Sequence, residues 1–307
     1  MIVARKDKID IATGVIIINK HEGVTSHRIV QILRKLFDTP RVGHTGTLDP
    51  LATGVLPILI GRAVKASDFL VANDKEYIAK MTLGITSDTD DITGEILSQT
   101  NEIPNEKAVF EAINSFVGDI EQIPPMYSAI KVGGRKLVDL AREGITVERK
   151  TRSVRINSIK AEKIDEKTYE MKVSCSKGTY IRTLCHDIGE KLGCGAVMSA
   201  LERTKSGSFT LENAHTIEEL ETLTIEERAA LVMPTEELFT DCPKVTVNDF
   251  YAKLIRGGTE LYQKKLNCCY DIGQFIRIIH NNTFIALGQV AEFDGGSAIK
   301  PIKLFVL

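Results

Sequence analysis

The chain has 307 residues, 43% of them hydrophobic and 26% charged, and a formal net charge of −2. It can bury a core in one large domain or two, which excludes a disordered or fibrous protein. The near-neutral balance gives no molecule-wide positive field, so any nucleic-acid role must rest on local patches.

In chain order, the start, MIVARKDKID, alternates charges and has no apolar signal-peptide segment. GVIIINK (14–20) is a short β-branched run that reads as a buried strand. Thr25 or Ser26 then caps a helix whose Ile29, Ile32, Leu33 and Leu36 recur at i, i+3, i+4 and i+7. A loop rich in glycine and threonine around Asp49 follows, then a strand near 54–60 and an alternating strand at 76–85. Apolar runs such as VLPILI are too short to span a bilayer, so a soluble cytoplasmic protein is expected, with no membrane partner.

Charge is unevenly distributed beyond that point. Residues 73–100 carry six acids against two lysines, whereas 124–160 carry nine Lys or Arg against three acids. Pro124-Pro125 forces an extended lead-in and Gly133-Gly134 a turn, so about 124–152 reads as an insertion protruding from the sheet. On charge alone, a solvated loop and helix has the better claim over RNA contact. A strand at 168–175, a turn at Lys177-Gly178 and a helix led by Tyr180 and Arg182 come next. Residues 211–240 hold eight glutamates and one arginine and read as an acidic helical connector. After Pro243 the β-rich runs FIRIIH, TFIALGQVAEF and IKLFVL suggest a small barrel, with the boundary near 240.

The six cysteines, Cys175, Cys185, Cys194, Cys242, Cys268 and Cys269, form no C-x-x-C pair and no zinc spacing with histidine, so reduced thiols and no structural metal are expected. Neither a G-x-x-x-x-G-K-[ST] loop nor G-x-G-x-x-G after a strand is present, so no nucleotide cofactor is expected. Asp49 precedes Pro50, the usual pattern of a helix N-cap and first turn, and on sequence physics alone that reading wins. Its surroundings favour chemistry: Gly43, Gly46 and Gly54 let backbone close on a ligand, and Thr45, Thr47 and Thr53 supply hydroxyls. A carboxylate there can act as nucleophile or base, and Arg182 could hold it ionised or be a solvated arginine. His44 and Tyr77 alone read as structural, and Lys20 and Leu201 are uninformative alone.

Five ordered segments together resemble the bacterial TruB-type tRNA pseudouridine synthases: GVIIINKHEGVTSH, VGHTGTLDPLATGVLPILIGRAVK, KEYIAKMTLGITSDTDDITGEI, QIPPMYSAIKVGGRKL with LAREG, and CSKGTYIRTLCHDIGEKLG. The resemblance covers roughly 13–210. It implies an α/β (α+β) pseudouridine synthase fold with a large, mainly antiparallel mixed sheet flanked by helices. A catalytic domain would occupy 1–240, and a PUA-like β-barrel 241–307. The implied reaction turns uridine 55 of the tRNA T loop into pseudouridine without a cofactor, by a monomer acting on the T arm.

By resemblance Asp49 is the catalytic carboxylate, Arg182 its partner, and Tyr77 the ring that stacks on uracil and a candidate to remove the C5 proton. Tyr180 and Leu201 would line the pocket, His44 would fill the space left by the extruded base, and Lys20 would support the pocket loop. Val138 stands where many members of that family carry a tyrosine, which leaves an aromatic contact by the insertion an open question at that position. Two other classes remain: a glycoside hydrolase, which needs two opposed carboxylates, and a non-catalytic RNA-binding module, which does not need Asp49.

Overall fold

The structure is a computed structural model and describes residues 12–70 and 74–306, so the MIVARKDKID stretch lies outside the described residues. The run GVIIINK forms the strand Gly14–Lys20 (β1), because β-branched side chains fit a pleated, buried surface. Its side chains divide between two cores. Ile16 and Ile18 join Ile29 and Leu33 on one face, while Val15 and Ile17 join Phe239, Phe284 and Phe305 on the other. A strand covered on both sides shows no polar alternation, which is why it reads as a continuous apolar run.

Thr25 caps the helix Ser26–Leu36 (α1), its hydroxyl accepting from Arg28 N at 3.1 Å. The buried face is Ser26, Ile29, Val30 and Leu33; Ile32 and Leu36 are only half-buried, so the helix is rotated from the expected stripe. The rotation turns Ser26 inward, where its Oγ accepts from Leu48 N at 2.8 Å and donates to Leu48 O at 2.9 Å.

Val42–His44 (β2) pairs antiparallel with Thr53–Ile60 (β3), with Val42 opposite Ile60 and His44 opposite Ile58. Ser67–Leu70 (α2) leads to Lys75–Leu83 (β4), whose Tyr77, Ala79, Met81 and Leu83 are buried on one face. The small hairpin Ile85–Ser87 (β5) and Ile96–Gln99 (β6) precedes Glu106–Asn114 (α3) and Gly118–Gln122 (β7). The basic insertion carries the two-residue strands Lys131–Val132 (β8) and Arg135–Lys136 (β9), then Leu137–Arg142 (α4). Arg152–Lys163 (β10) and Thr168–Cys175 (β11) return to the sheet, and Ile181–Leu192 (α5) and Ala196–Ser206 (β12) follow.

The expected helical connector is only partly helical. Phe209–Thr210 (β13), Ala214–His215 (β14) and Met233–Pro234 (β15) pair with the main sheet, around two six-residue helices, Ile217–Thr222 (α6) and Ile225–Ala230 (α7). Each helix opens with a capping box, Thr216 with Glu219 and Thr224 with Glu227. The glutamates that made the segment look like one long helix in part serve these two starts.

The main sheet runs β14-β1-β3-β12-β4-β11-β10-β7, with β2, β13 and β15 at its margins. Its pairs are antiparallel except β1 with β14 and β3 with β12. The β3–β12 contact sets the site. Thr53 lies opposite Glu202 and Gly54 opposite Arg203; Gly54 has φ 96°, and a Cβ there would sit 2.3 Å from Arg203 O. Only glycine allows both that conformation and that approach.

A second sheet contains Lys244–Thr246 (β16), Leu261–Tyr262 (β17), Phe275–His280 (β18), Thr283–Phe293 (β19) and Gly296–Leu304 (β20), in the order β16-β18-β19-β20-β17. The helix Asp249–Arg256 (α8) and the turn Gln263–Leu266 (α9) pack against it. One of its faces supplies Ile279, Phe284, Leu287 and Phe305 to the core behind β1 and β3.

Candidate active site

The loop carrying Asp49 is sutured from several sides. Ala52 N donates to Asp49 O at 3.1 Å, closing a turn, so Asp49-Pro50 starts no helix. Gly23 N and Lys20 Nζ both donate to Pro50 O, at 2.8 and 3.2 Å, and Ser26 holds Leu48 as described. These bonds fix the backbone and leave the Asp49 side chain 34% exposed into a cleft.

Arg182 faces it from the first turn of α5 and is 4% exposed. Its Nε lies 2.9 Å from Asp49 Oδ2, an ion pair whose N–H is not aimed along the contact. The rest of the guanidinium is held from behind. Nη1 donates to Thr89 O at 3.0 Å and lies 3.7 Å from Asp91 Oδ2; Nη2 donates to Tyr127 O at 2.8 Å. Asp91 is buried and accepts from Thr93 N, Thr93 Oγ1 and Thr89 Oγ1. The start of α5 is set by buried Gln122, which accepts from Tyr180 N at 3.0 Å and donates to Tyr180 O at 3.2 Å.

Asp49, Tyr77, Tyr180, Arg182 and Leu201 line one cavity of about 270 Å³, together with Arg203 and Lys75. Among the described lining residues Asp49 is the only carboxylate. Burial pushes its carboxyl above the ordinary value and the Asp91 charge adds to this, against the opposing Arg182 and Lys20 charges. Burial likewise pushes the Tyr77 phenol up, against Arg203, so the ring is neutral near pH 7. Arg203, 1% exposed, donates from Nε to Val55 O at 2.7 Å and ties β12 to β3 beneath the cleft.

Two sequence candidates stand outside the cavity wall. Lys20 is buried, and its ammonium donates to the carbonyls of His21, Val24 and Pro50. Burial lowers it to about 8, and its reach to Pro50 makes it a brace for the Asp49 turn. His44 ends β2 with its Nδ1 buried and without a hydrogen bond, and burial lowers the imidazole, with the Arg203 and His27 charges adding to this.

Sequence reasoning missed Arg203, Asp91 and Gln122, and read Ser26 as a candidate cap and not as the anchor of Leu48. Asp91 was counted only as one of six acids in 73–100, and no local spacing marks Arg203 as buried. For Gln122, the quoted QIPPMYSA segment was the available signal.

Residues 34–181 match the TruB family pseudouridylate synthase N-terminal domain and 182–240 the tRNA pseudouridylate synthase B C-terminal domain. A tRNA pseudouridine synthase B of Clostridium tetani is 42% identical over 95% of this chain and 99% of its own. That of Alkaliphilus oremlandii is 45% identical over 92% and 94%. Among solved structures, a Cbf5-Nop10-Gar1 complex superposes with TM-score 0.74 at 28% identity, covering 98% of this chain and 88% of that one. An H/ACA RNP bound to a substrate RNA containing 2′-deoxyuridine gives TM-score 0.71 at 25% identity, covering 99% and 88%.

Fold and relatives define the class, a tRNA pseudouridine synthase, which is an isomerase with the large mixed sheet of that fold. Within it, the chain belongs to the TruB family. The curled second sheet is consistent with a PUA-like domain.

Proposed function

We propose that the Asp49 cleft converts uridine 55 of the tRNA T loop to pseudouridine, on a nucleotide swung out of its stack, with Asp49 as the only catalytic carboxylate. One observation carries this reading: the half-exposed carboxylate, its buried guanidinium partner and the Tyr77 ring meet in one open cleft. The reaction breaks uracil N1–C1′, forms C5–C1′, and moves the C5 proton to N1, so composition is unchanged. Extrusion costs a few kcal/mol in lost stacking, and a base stacked on an aromatic ring recovers about 1–3 kcal/mol.

In this reading Tyr77 stacks under the uracil against Leu201, and Tyr180 closes the opposite wall. A neutral phenol is a weak resting base, so Tyr77 takes the C5 proton only as it passes its own to a neighbour. Lys20 supports the turn, and His44 fills the vacated stack. The insertion and the module at 241–307 supply phosphate contacts that position the RNA without reading its bases. A hydrolase would need a second carboxylate opposite Asp49. Asp91, the nearest further acid in the arginine network, lies behind Arg182, with its Oδ1 accepting from Thr89 Oγ1, Thr93 Oγ1 and Thr93 N and its Oδ2 turned to Arg182.

The test is pseudouridine mapping in T-loop RNA. Asp49→Asn is expected to bind the RNA while tritium release from C5-labelled uridine stops, a loss of at least about 10³-fold. Turnover at the parent rate would remove Asp49 from catalysis.

A further inference from the structure

Arg203 lies on β12 directly opposite Tyr77 on β4, and directly opposed residues of an antiparallel pair share a face of the sheet. Both line the cleft. Arg203 Nε donates to Val55 O at 2.7 Å and Nη2 to Gly46 O at 3.4 Å, so the guanidinium is pinned between β3, the loop that leads to Asp49 and the Tyr77 ring. Both acceptors are neutral. Among the described residues no carboxylate forms an ion pair with Arg203, and Asp49, the one carboxylate in the described cavity wall, is taken by Arg182. A guanidinium held at 1% exposure without an anion is costly to keep, which points to a negative charge that arrives with the substrate.

The two arginines of the cleft serve different ends of it. Arg182 has Asp49 at 2.9 Å and Asp91 at 3.7 Å, two carboxylates to one cation. Arg203 instead acts on the Tyr77 phenol, against the rise caused by burial, and on His44, where it adds to the lowering caused by burial. The isomerisation moves charge from the first end to the second. Attack of Asp49 on C1′ or removal of a C2′ proton breaks N1–C1′ and leaves the bonding pair on uracil, and addition of Asp49 to C6 pushes a pair toward O4. By each route the carboxylate is neutralised and the ring becomes the anion, until C5 bonds to C1′ and the C5 proton ends on N1.

We propose that Arg203 supplies the positive charge that stabilises the uracil ring as it takes on electrons, acting from beneath Tyr77 without touching the base. The proposal rests on the reading of the cleft as a uridine site. Because it acts across the Tyr77 ring, Arg203 is a positioning residue. Its bonds to Val55 O and Gly46 O hold the charge in place before the ring becomes anionic, so no dipole has to turn during the reaction. A fixed cation of this kind favours the charged ring over the neutral bound uridine, and the gain falls on the chemical step.

The experiment gives the full chain T-loop RNA with uridine or 5-fluorouridine at the target position and follows single-turnover consumption of the N1-linked nucleoside. Fluorine withdraws electrons from the ring, so 5-fluorouracil carries negative charge with less help from a cation. The neutral variants Arg203→Gln and Arg203→Met are expected to lose about 10²-fold on uridine but only about tenfold on 5-fluorouridine, with RNA affinity within about threefold of the parent. Arg203→Lys keeps the charge and is expected to lose no more than about tenfold on either base. Thermal melting shows which neutral variant is folded at the assay temperature, and that one is read. Equal losses on the two bases would make Arg203 a structural tie between β12 and β3 and overturn the proposal, as would turnover at the parent rate or a lysine variant as impaired as the neutral ones. A parent that forms no pseudouridine in the uridine RNA removes the uridine reading and this proposal with it; an active parent with equal losses sinks the role of Arg203 alone.

Discussion

Asp49 shows how one side chain is tuned by its surroundings. Desolvation by the cleft walls raises its carboxyl, and the nearby Arg182 charge pulls it back without cancelling the rise. The chemistry proposed for Asp49 needs the ionised form, so a raised value would make activity disappear earlier as pH falls. The acid limb of kcat/KM is expected above the ordinary aspartate value of about 3.9. A limb at or below that value would mean that Arg182 outweighs burial. Arg182 is suited to this task because its planar fork meets Asp49 on one side and Thr89 and Tyr127 on the other. A lysine could not make all of these contacts at once.

Strands and turns place these side chains. The Asp49 turn is an excursion between β2 and β3, and its height above the sheet depends on how closely β3 approaches β12. Gly54→Ala forces a Cβ against Arg203 O from a left-handed backbone. It is expected to cost roughly 2 kcal/mol or more of stability and to lower kcat by displacing Arg203 and Leu201. Thermal melting together with single-turnover rates checks this, and an alanine variant with parent stability would mean that the strands separate freely. The acidic stretch after residue 210 is instructive in the same way. Thr216 and Thr224 each begin a short helix, and the flanking residues 214–215 and 233–234 are taken up as edge strands by β1.

The molecule as a whole has two layers of core that share β1 and β3. Ile279, Phe284, Leu287 and Phe305 of the second sheet cover Val15, Ile17, Val55 and Leu59 of the first. Removing residues 243–307 would expose that apolar face, so the truncated chain is expected to melt at least about 5 °C lower and to bind a hydrophobic dye. Truncation with unchanged melting would mean that the shared core contributes little. The two modules are thus coupled through packing as well as through the chain connecting them.

Local chemistry was legible along the chain because its causes lie within a few residues. β-Branched runs, alternation, the Thr25 cap and the glycine-threonine loop all announced elements that formed at or near the expected positions. The family segments also pointed to Tyr77, Tyr180, Arg182 and Leu201, which share the cleft with Asp49. Register and packing decided the rest. Arg203 meets Val55 across 148 positions and Arg182 meets Thr89 across 93. A one-residue slip would have turned every such side chain to the other face, and no local pattern records which face that is. Lys20 and His44 lie outside the cavity wall for the same reason: strand pairing and burial, acting over the folded chain, settle where a side chain ends.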